Sequence, residues 1–214
     1  IIGNQATNWA ITFGGAFELY VYGLVIKNGS NTSLNKNISL MPTDGGHAEF
    51  EQITIQLAGS TSGRIVFTTQ TSIQNSYIKV TNSTFKFGSN AHAIAMQTGL
   101  LELQNVTIDS GGTAPNTLFG AGGTAGSVVK AIGCDLSFIS GTLVGDVNTN
   151  GNVYFEFVGC KFHATVTIKG AATTILNKGN GTVLAVDCAS GDTHYALYHG
   201  DAFGETTAVA DYYY

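Results

Sequence analysis

Two clusters of titratable side chains hold the chemistry that this 214-residue chain could do. The denser one is Asp187, Asp192, His194, His199, Asp201 and Glu205, near the C-terminus. Histidines with carboxylates suit a divalent metal. Paired carboxyls about 5 to 9.5 Å apart, one raised in pKa, suit glycoside hydrolysis. Asp187, Asp192, Asp201 and His194 are therefore the catalytic candidates. His194 and His199 lie five apart in a stretch expected to be irregular, which favours a polar cap over a metal centre, so no metal and no other cofactor is expected. The second cluster is Asp44, His47, Glu49 and Glu51. Glu49 and Glu51 would stand about 6.8 Å apart on one strand face, but both should be exposed, without the burial that makes a carboxyl a general acid.

Three cysteines, Cys134, Cys160 and Cys188, are an odd number with no CxxC pair. Neither a tetrahedral zinc site nor a complete disulfide framework is written in that spacing. Sequons at Asn28, Asn31, Asn37, Asn82, Asn105 and Asn180 follow from a composition rich in Asn, Ser and Thr.

The elements that must position these groups are set by composition and by a repeat. Only 11% of residues are charged, against about 25% in an ordinary soluble domain, while 28 are Gly and 2 are Pro. A net charge of −5 with a single arginine, Arg64, gives no footprint for nucleic acid. No stretch approaches the roughly 18 to 20 apolar residues of a membrane-spanning helix. Gly, Asn, Thr and Ser suit turns and outward strand positions, so an all-β chain is expected. The opening at Ile1 and the close on Tyr212-Tyr213-Tyr214 suggest a processed or trimmed product.

The repeat is visible in Phe50-Glu51-Gln52-Ile53-Thr54-Ile55, Val80-Thr81-Asn82-Ser83-Thr84-Phe85, Leu103-Gln104-Asn105-Val106-Thr107-Ile108, Ala131-Ile132-Gly133-Cys134-Asp135-Leu136 and Phe157-Val158-Gly159-Cys160-Lys161-Phe162. Looser copies begin at Val21 and Ala185. The fourth positions, Leu24, Ile53, Ser83, Val106, Cys134, Cys160 and Cys188, recur at the period of a solenoid. Apolar and polar residues alternate as strands require. The third position, Gly23, Asn82, Asn105, Gly133, Gly159 or Asp187, tolerates the left-handed conformation of a tight bend. Each copy therefore reads as strand, one-residue corner, strand.

Stacking such units predicts a right-handed, single-stranded parallel β-helix of about seven coils, one domain over 1–214. Its N-terminal lead-in, 1–17, should be irregular, and 190–214 should form a C-terminal cap. Glu49, Lys79, Glu102, Lys130 and Glu156 then make an outward column of alternating sign, an ion-pair ladder. Thr54, Thr84, Thr107, Asp135 and Lys161 make a second outward column. Cys134, Cys160 and Cys188 fall in an inward column of small buried thiols. Longer connections are expected at Asn28 to Asn37, Ser110 to Gly126 and Ser140 to Gly151.

These repeats, the low-charge composition, and the segments Tyr20-Val21-Tyr22-Gly23-Leu24-Val25-Ile26-Lys27-Asn28-Gly29, Ser39-Leu40-Met41-Pro42-Thr43-Asp44-Gly45-Gly46-His47 and Gly191-Asp192-Thr193-His194-Tyr195 resemble the pectin-lyase-like β-helix proteins of tailed-bacteriophage particles. The resemblance covers most of the chain, but its motifs are structural, and no catalytic motif of the tailspike enzymes matches position by position. It implies a non-enzymatic protein on the exterior of the virion, a capsid decoration or tail-associated component, assembled with itself, as a trimer, and with other virion proteins. A tailspike domain that binds or depolymerises host glycans is the second expectation. A secreted adhesin or fibre subunit is the third.

Overall fold

The computed structural model describes residues 2–3, 9–13, 18–28, 36–42, 46–59, 63–67, 77–96, 99–119, 127–145, 153–169, 182–191 and 193–200. Among them there is no helix, and parallel strands stack into a β-solenoid with three faces. On the first face, Glu18–Tyr22, His47–Glu51, Tyr77–Thr81, Leu100–Gln104, Ser127–Ile132 and Val153–Val158 pair in that order, and Val153–Val158 pairs with the start of Thr182–Ser190. On the second, Ile2–Gly3, Val25–Asn28, Thr54–Leu57, Thr84–Phe87, Thr107–Ile108, Asp135–Leu136 and Lys161–Phe162 lead to the end of the same strand. Thr182–Ser190 runs unbroken through its corner and so joins the two faces into one sheet. The third face is a 7-stranded sheet of Trp9–Phe13, Lys36–Pro42, Gly63–Phe67, His92–Met96, Thr117–Phe119, Thr142–Val144 and Thr167–Lys169.

The corner between the first two faces is one residue wide, and φ is positive at Gly23, Gln52, Asn82, Asn105, Gly133, Gly159 and Asp187. The backbone ladder does not break there. Each corner N–H from Gly23 to Gly159 donates to the carbonyl just before the corner of the next coil, as in Asn105 N to Ile132 O at 2.9 Å and Gly133 N to Val158 O at 2.8 Å. Asn105 also donates its side-chain amide to Asn82 Oδ1 at 3.2 Å. Gly133 completes that stack because a Cβ there would meet Asn105 Oδ1 at 2.8 Å. Gln52 is the corner whose residue type does not announce itself, and it holds φ at 52°. The left-handed region costs an L-residue roughly 1 to 2 kcal/mol, and glycine gives back roughly 0.5 to 1 in chain entropy. Gln52→Gly should therefore stabilise by up to about 1 kcal/mol, a rise of about 2 to 4 °C in melting temperature, read by a thermal melt.

The strands exist because their side chains alternate. His47–Glu51, Tyr77–Thr81 and Leu100–Gln104 each bury their second and fourth residues, and the inward rows close on one continuous core. Phe119, Phe155, Phe157 and Phe162 fill its C-terminal half, with Phe157 edge-on to Phe162 at 5.6 Å and 88°. The row of fourth positions lies inside: Ile53, Ser83, Val106, Cys134, Cys160 and Cys188 are each at most 3% exposed.

Three expectations change. The units carry a third strand, and the segments expected as long connections contribute it: Lys36–Pro42 begins inside the first, and Thr117–Phe119 and Thr142–Val144 lie in the others. The lead-in over 1–17 is not irregular at Trp9–Phe13, which pairs with Ile38 to Pro42, because an apolar edge of the third face needs a partner there. The stretch around His194 and His199 is a strand, Thr193–Gly200, antiparallel to Thr182–Ser190. It reverses at Gly191, φ 57°, and ends the parallel series on that edge by filling its open hydrogen-bonding groups.

Candidate functional site

Among the described residues, the outward side of the second face carries a groove of about 430 Å³ lined by Thr84, Thr107, Ile108, Asp109, Ser110, Asp135, Ser137 and Phe138. Strand register builds its floor, since Thr84, Thr107 and Asp135 are successive partners. The bend after Thr107–Ile108 and the turn after Asp135–Leu136 supply the walls. In each, an aspartate folds back onto its own backbone. Asp109 Oδ1 accepts from Gly111 N at 2.6 Å, and Asp135 Oδ1 accepts from Ser137 N at 3.1 Å and from its hydroxyl at 2.5 Å.

Both carboxylates also have a lysine. Lys86 Nζ lies 2.6 Å from Asp109, and Lys161 Nζ lies 3.6 Å from Asp135. The Lys86 contact, with the Gly111 N–H, holds Asp109 below the usual carboxylate range. For Asp135 partial burial pushes upward, but the Ser137 hydroxyl and N–H together with Lys161 outweigh it, and that carboxyl is lowered too. An acid that stays ionised cannot protonate a leaving group. The two groove acids are set to accept hydrogen bonds and to carry charge rather than to act as general acids.

The lowered values have a consequence for stability. A carboxyl whose folded pKa is depressed contributes stability that is present above its unfolded pKa, about 3.9, and lost as pH falls through the folded value. Thermal stability should therefore drop between about pH 5 and pH 2. The Asp109→Asn, Asp135→Asn double variant should start less stable and lose less over that interval in melts across it.

The first-face acids are occupied as well. Glu51 accepts from the Tyr20 hydroxyl, while Glu49 lies 3.3 Å from His47 Nε2. Glu102 accepts from Tyr77 Oη at 3.2 Å and from the Gln104 amide. Partial burial, and the Glu102 carboxylate beside it, push the Tyr77 phenol up to about 12. Glu49, Lys79, Glu102, Lys130 and Glu156 are consecutive register partners. Among the described residues, however, only Lys130 and Glu156 close to an ion pair in this column, at 3.1 Å. The full ladder expected from sequence is thus partial, because Glu49 and Glu102 take nearer partners.

The thiols form a row. Each has two carbonyl acceptors within reach of its single S–H, the one two residues before it and one on the preceding coil; for Cys160 Sγ these are Val158 O at 3.6 Å and Ala131 O at 3.3 Å. Contact with Cys134 and burial push the Cys160 thiol up to about 12. Contact with Cys160 and burial push Cys188 up as well. Cys134 is shifted down by the neighbouring Cys160 thiol, but at 1% exposure it is sealed from any substrate.

Of the C-terminal candidates, Asp187 is the exposed corner of its coil. Asp192 and Asp201 lie outside the described residues, as do Asp44 and Glu205. His194 is placed by its backbone opposite Ala189, and His199 opposite Leu184. Among the described residues no group of three His, Cys, Asp or Glu side chains is placed to hold a metal ion, and no helix is long and apolar enough to cross a membrane. Asp109 was missed in the sequence because it sits just beyond the repeat, in a bend with no periodic signal; its one cue is the Asp-Ser-Gly-Gly turn chemistry. His92, buried, accepts from Gly88 N at 3.2 Å and so fixes the bend before its strand.

No family model, no curated protein and no solved structure matches this chain.

Proposed function

We propose that the chain is a non-catalytic shaft: a right-handed, single-stranded parallel β-helix of about seven coils, on the order of 34 Å long at about 4.8 Å per coil. It serves as a structural component on the exterior of a bacteriophage particle, as a capsid decoration or tail-associated protein. The observation that carries the non-catalytic part is the state of the groove acids, Asp109 and Asp135, each held ionised by a lysine and by its own turn. The hydrogen-bond columns that pass unbroken through the corners favour a stiff load-bearing rod. The placement on a virion is supported by the segments around Tyr20–Gly29, Ser39–His47 and Gly191–Tyr195 alone.

Copy number in purified particles, measured by quantitative mass spectrometry, tests this reading. A lattice-scale number supports decoration, and absence from particles overturns it. The groove favours a second reading, a domain that binds host glycans, since Ser110, Ser137 and the Thr84–Thr107 column offer hydroxyls beside Phe138. Capsular polysaccharide that binds and is lost with Asp135→Ala would support that reading, and release of reducing ends would restore the enzymatic tailspike. A signal peptide cleaved from the full reading frame would favour the secreted adhesin.

A further inference from the structure

Three of the four large hydrophobic side chains exposed among the described residues, Tyr20, Tyr22 and Ile132, lie on the outward side of the first face. The same side carries the column in which Glu and Lys alternate over five successive strands. Lys79, the second member of the column, has no carboxylate within 4 Å among the described residues of its own chain.

Four consecutive members of the alternating column, Glu49, Lys79, Glu102 and Lys130, are self-complementary in one orientation. Laid parallel and in register, two copies set Glu against Glu and Lys against Lys, which is destabilising. A parallel copy shifted by one strand restores opposite charges but makes a heterologous contact that does not close. Turned upside down about a two-fold axis through its middle member, Glu102, the column again sets like against like, but with the axis between two neighbouring strands Glu meets Lys, and the contact closes on two chains.

We propose that the outward side of the first face docks a second copy of this chain, antiparallel, about a two-fold axis lying between the strands of Lys79 and Glu102. Lys79 then faces the partner's Glu102, and Glu49 faces the partner's Lys130. The same operation brings Glu18–Tyr22 onto the partner's Val153–Val158. Tyr20 meets the partner's Glu156, a phenol–carboxylate pairing already present between Tyr20 and Glu51 and between Tyr77 and Glu102. Tyr22 covers the partner's Val158, and Tyr77 meets the partner's Leu100. Six strands of five residues span roughly 29 by 17 Å, so the pair buries on the order of 1,000 Å² of projected surface. That is the lower edge of specific interfaces, so the dimer should be reversible and should weaken with salt.

Sedimentation velocity on the full chain should show a monomer–dimer equilibrium shifted toward monomer at high salt. Ile132→Asp, which sets a second acid against the partner's Glu51, should weaken it about tenfold or more with an unchanged circular dichroism spectrum. Orientation is read by Tyr20→Cys and Glu156→Cys proteins. Oxidised together they should give a covalent dimer. Oxidised separately they should not, because like positions lie roughly 24 Å apart along the rod. A monomer at every concentration, a trimer, or self-linking of the Tyr20→Cys protein would each overturn the proposal.

Discussion

Cys160→Asp should lower the melting temperature by roughly 10 °C or more, or prevent folding. The Cys160 side chain is 1% exposed, between Cys134 and Cys188 in the inward row. Its polar neighbours are the Ala131 and Val158 carbonyls, acceptors that a carboxylate can only repel. An uncompensated buried charge costs about 3 to 5 kcal/mol, and each kcal/mol is worth about 2 to 4 °C in a domain of this size. The loss should shrink in acid, where the new carboxyl protonates and can donate. Cys160→Ser keeps the donor and should cost about 1 kcal/mol; Ser83 already fills the same row, donating to Thr81 O at 2.6 Å. Thermal melts of the two variants against pH check both results, and an unchanged melting temperature for the aspartate would place the row outside the core.

Phe157→Ala should cost about 3 to 5 kcal/mol, the range for removing a buried aromatic ring. Phe157 is fully buried, edge-on to Phe162 and 6.0 Å from Phe119. It therefore touches all three faces, first, second and third. The cavity cannot collapse cheaply, because the backbone on every side is tied into continuous ladders, such as Lys161 N to Cys134 O at 2.9 Å. Since each coil contacts only its neighbours, amide exchange should accelerate around Val129 to Phe162 while the coil of Phe50 and Ile55 stays protected. Hydrogen-exchange mass spectrometry reads that gradient, and uniform acceleration would mean that the solenoid unfolds as one unit.

Much of the register was legible from residue types. The sequence column Glu49, Lys79, Glu102, Lys130, Glu156 recurs as paired strand positions, and so does Thr54, Thr84, Thr107, Asp135, Lys161. Both could be read because a parallel stack puts equivalent residues in contact, so alternation of charge or a run of threonines leaves a trace at the repeat period. The third face left almost none. Thr117–Phe119 and Thr142–Val144 are three residues long, too short for a period-2 signal, and they stand among glycines and serines that read as loop. Gln52 was legible as a corner only through its alignment with the other copies, because the stack around it imposes a left-handed φ that its own residue type does not favour.

Sequence by itself determined the class and the register, all-β and repeating, with an inward thiol row and an outward charge column, because those follow from periodicity and from side-chain polarity alone. Only the tertiary structure decided which groups meet. It gave Glu49 to His47, Glu102 to Tyr77 and Gln104, and left Lys79 without a carboxylate within 4 Å among the described residues. It also brought Asp109 and Asp135, 26 positions apart in the chain, onto one groove. Contacts of that kind depend on how bends and turns outside the repeat fold back, and bend geometry carries no period for a sequence to display.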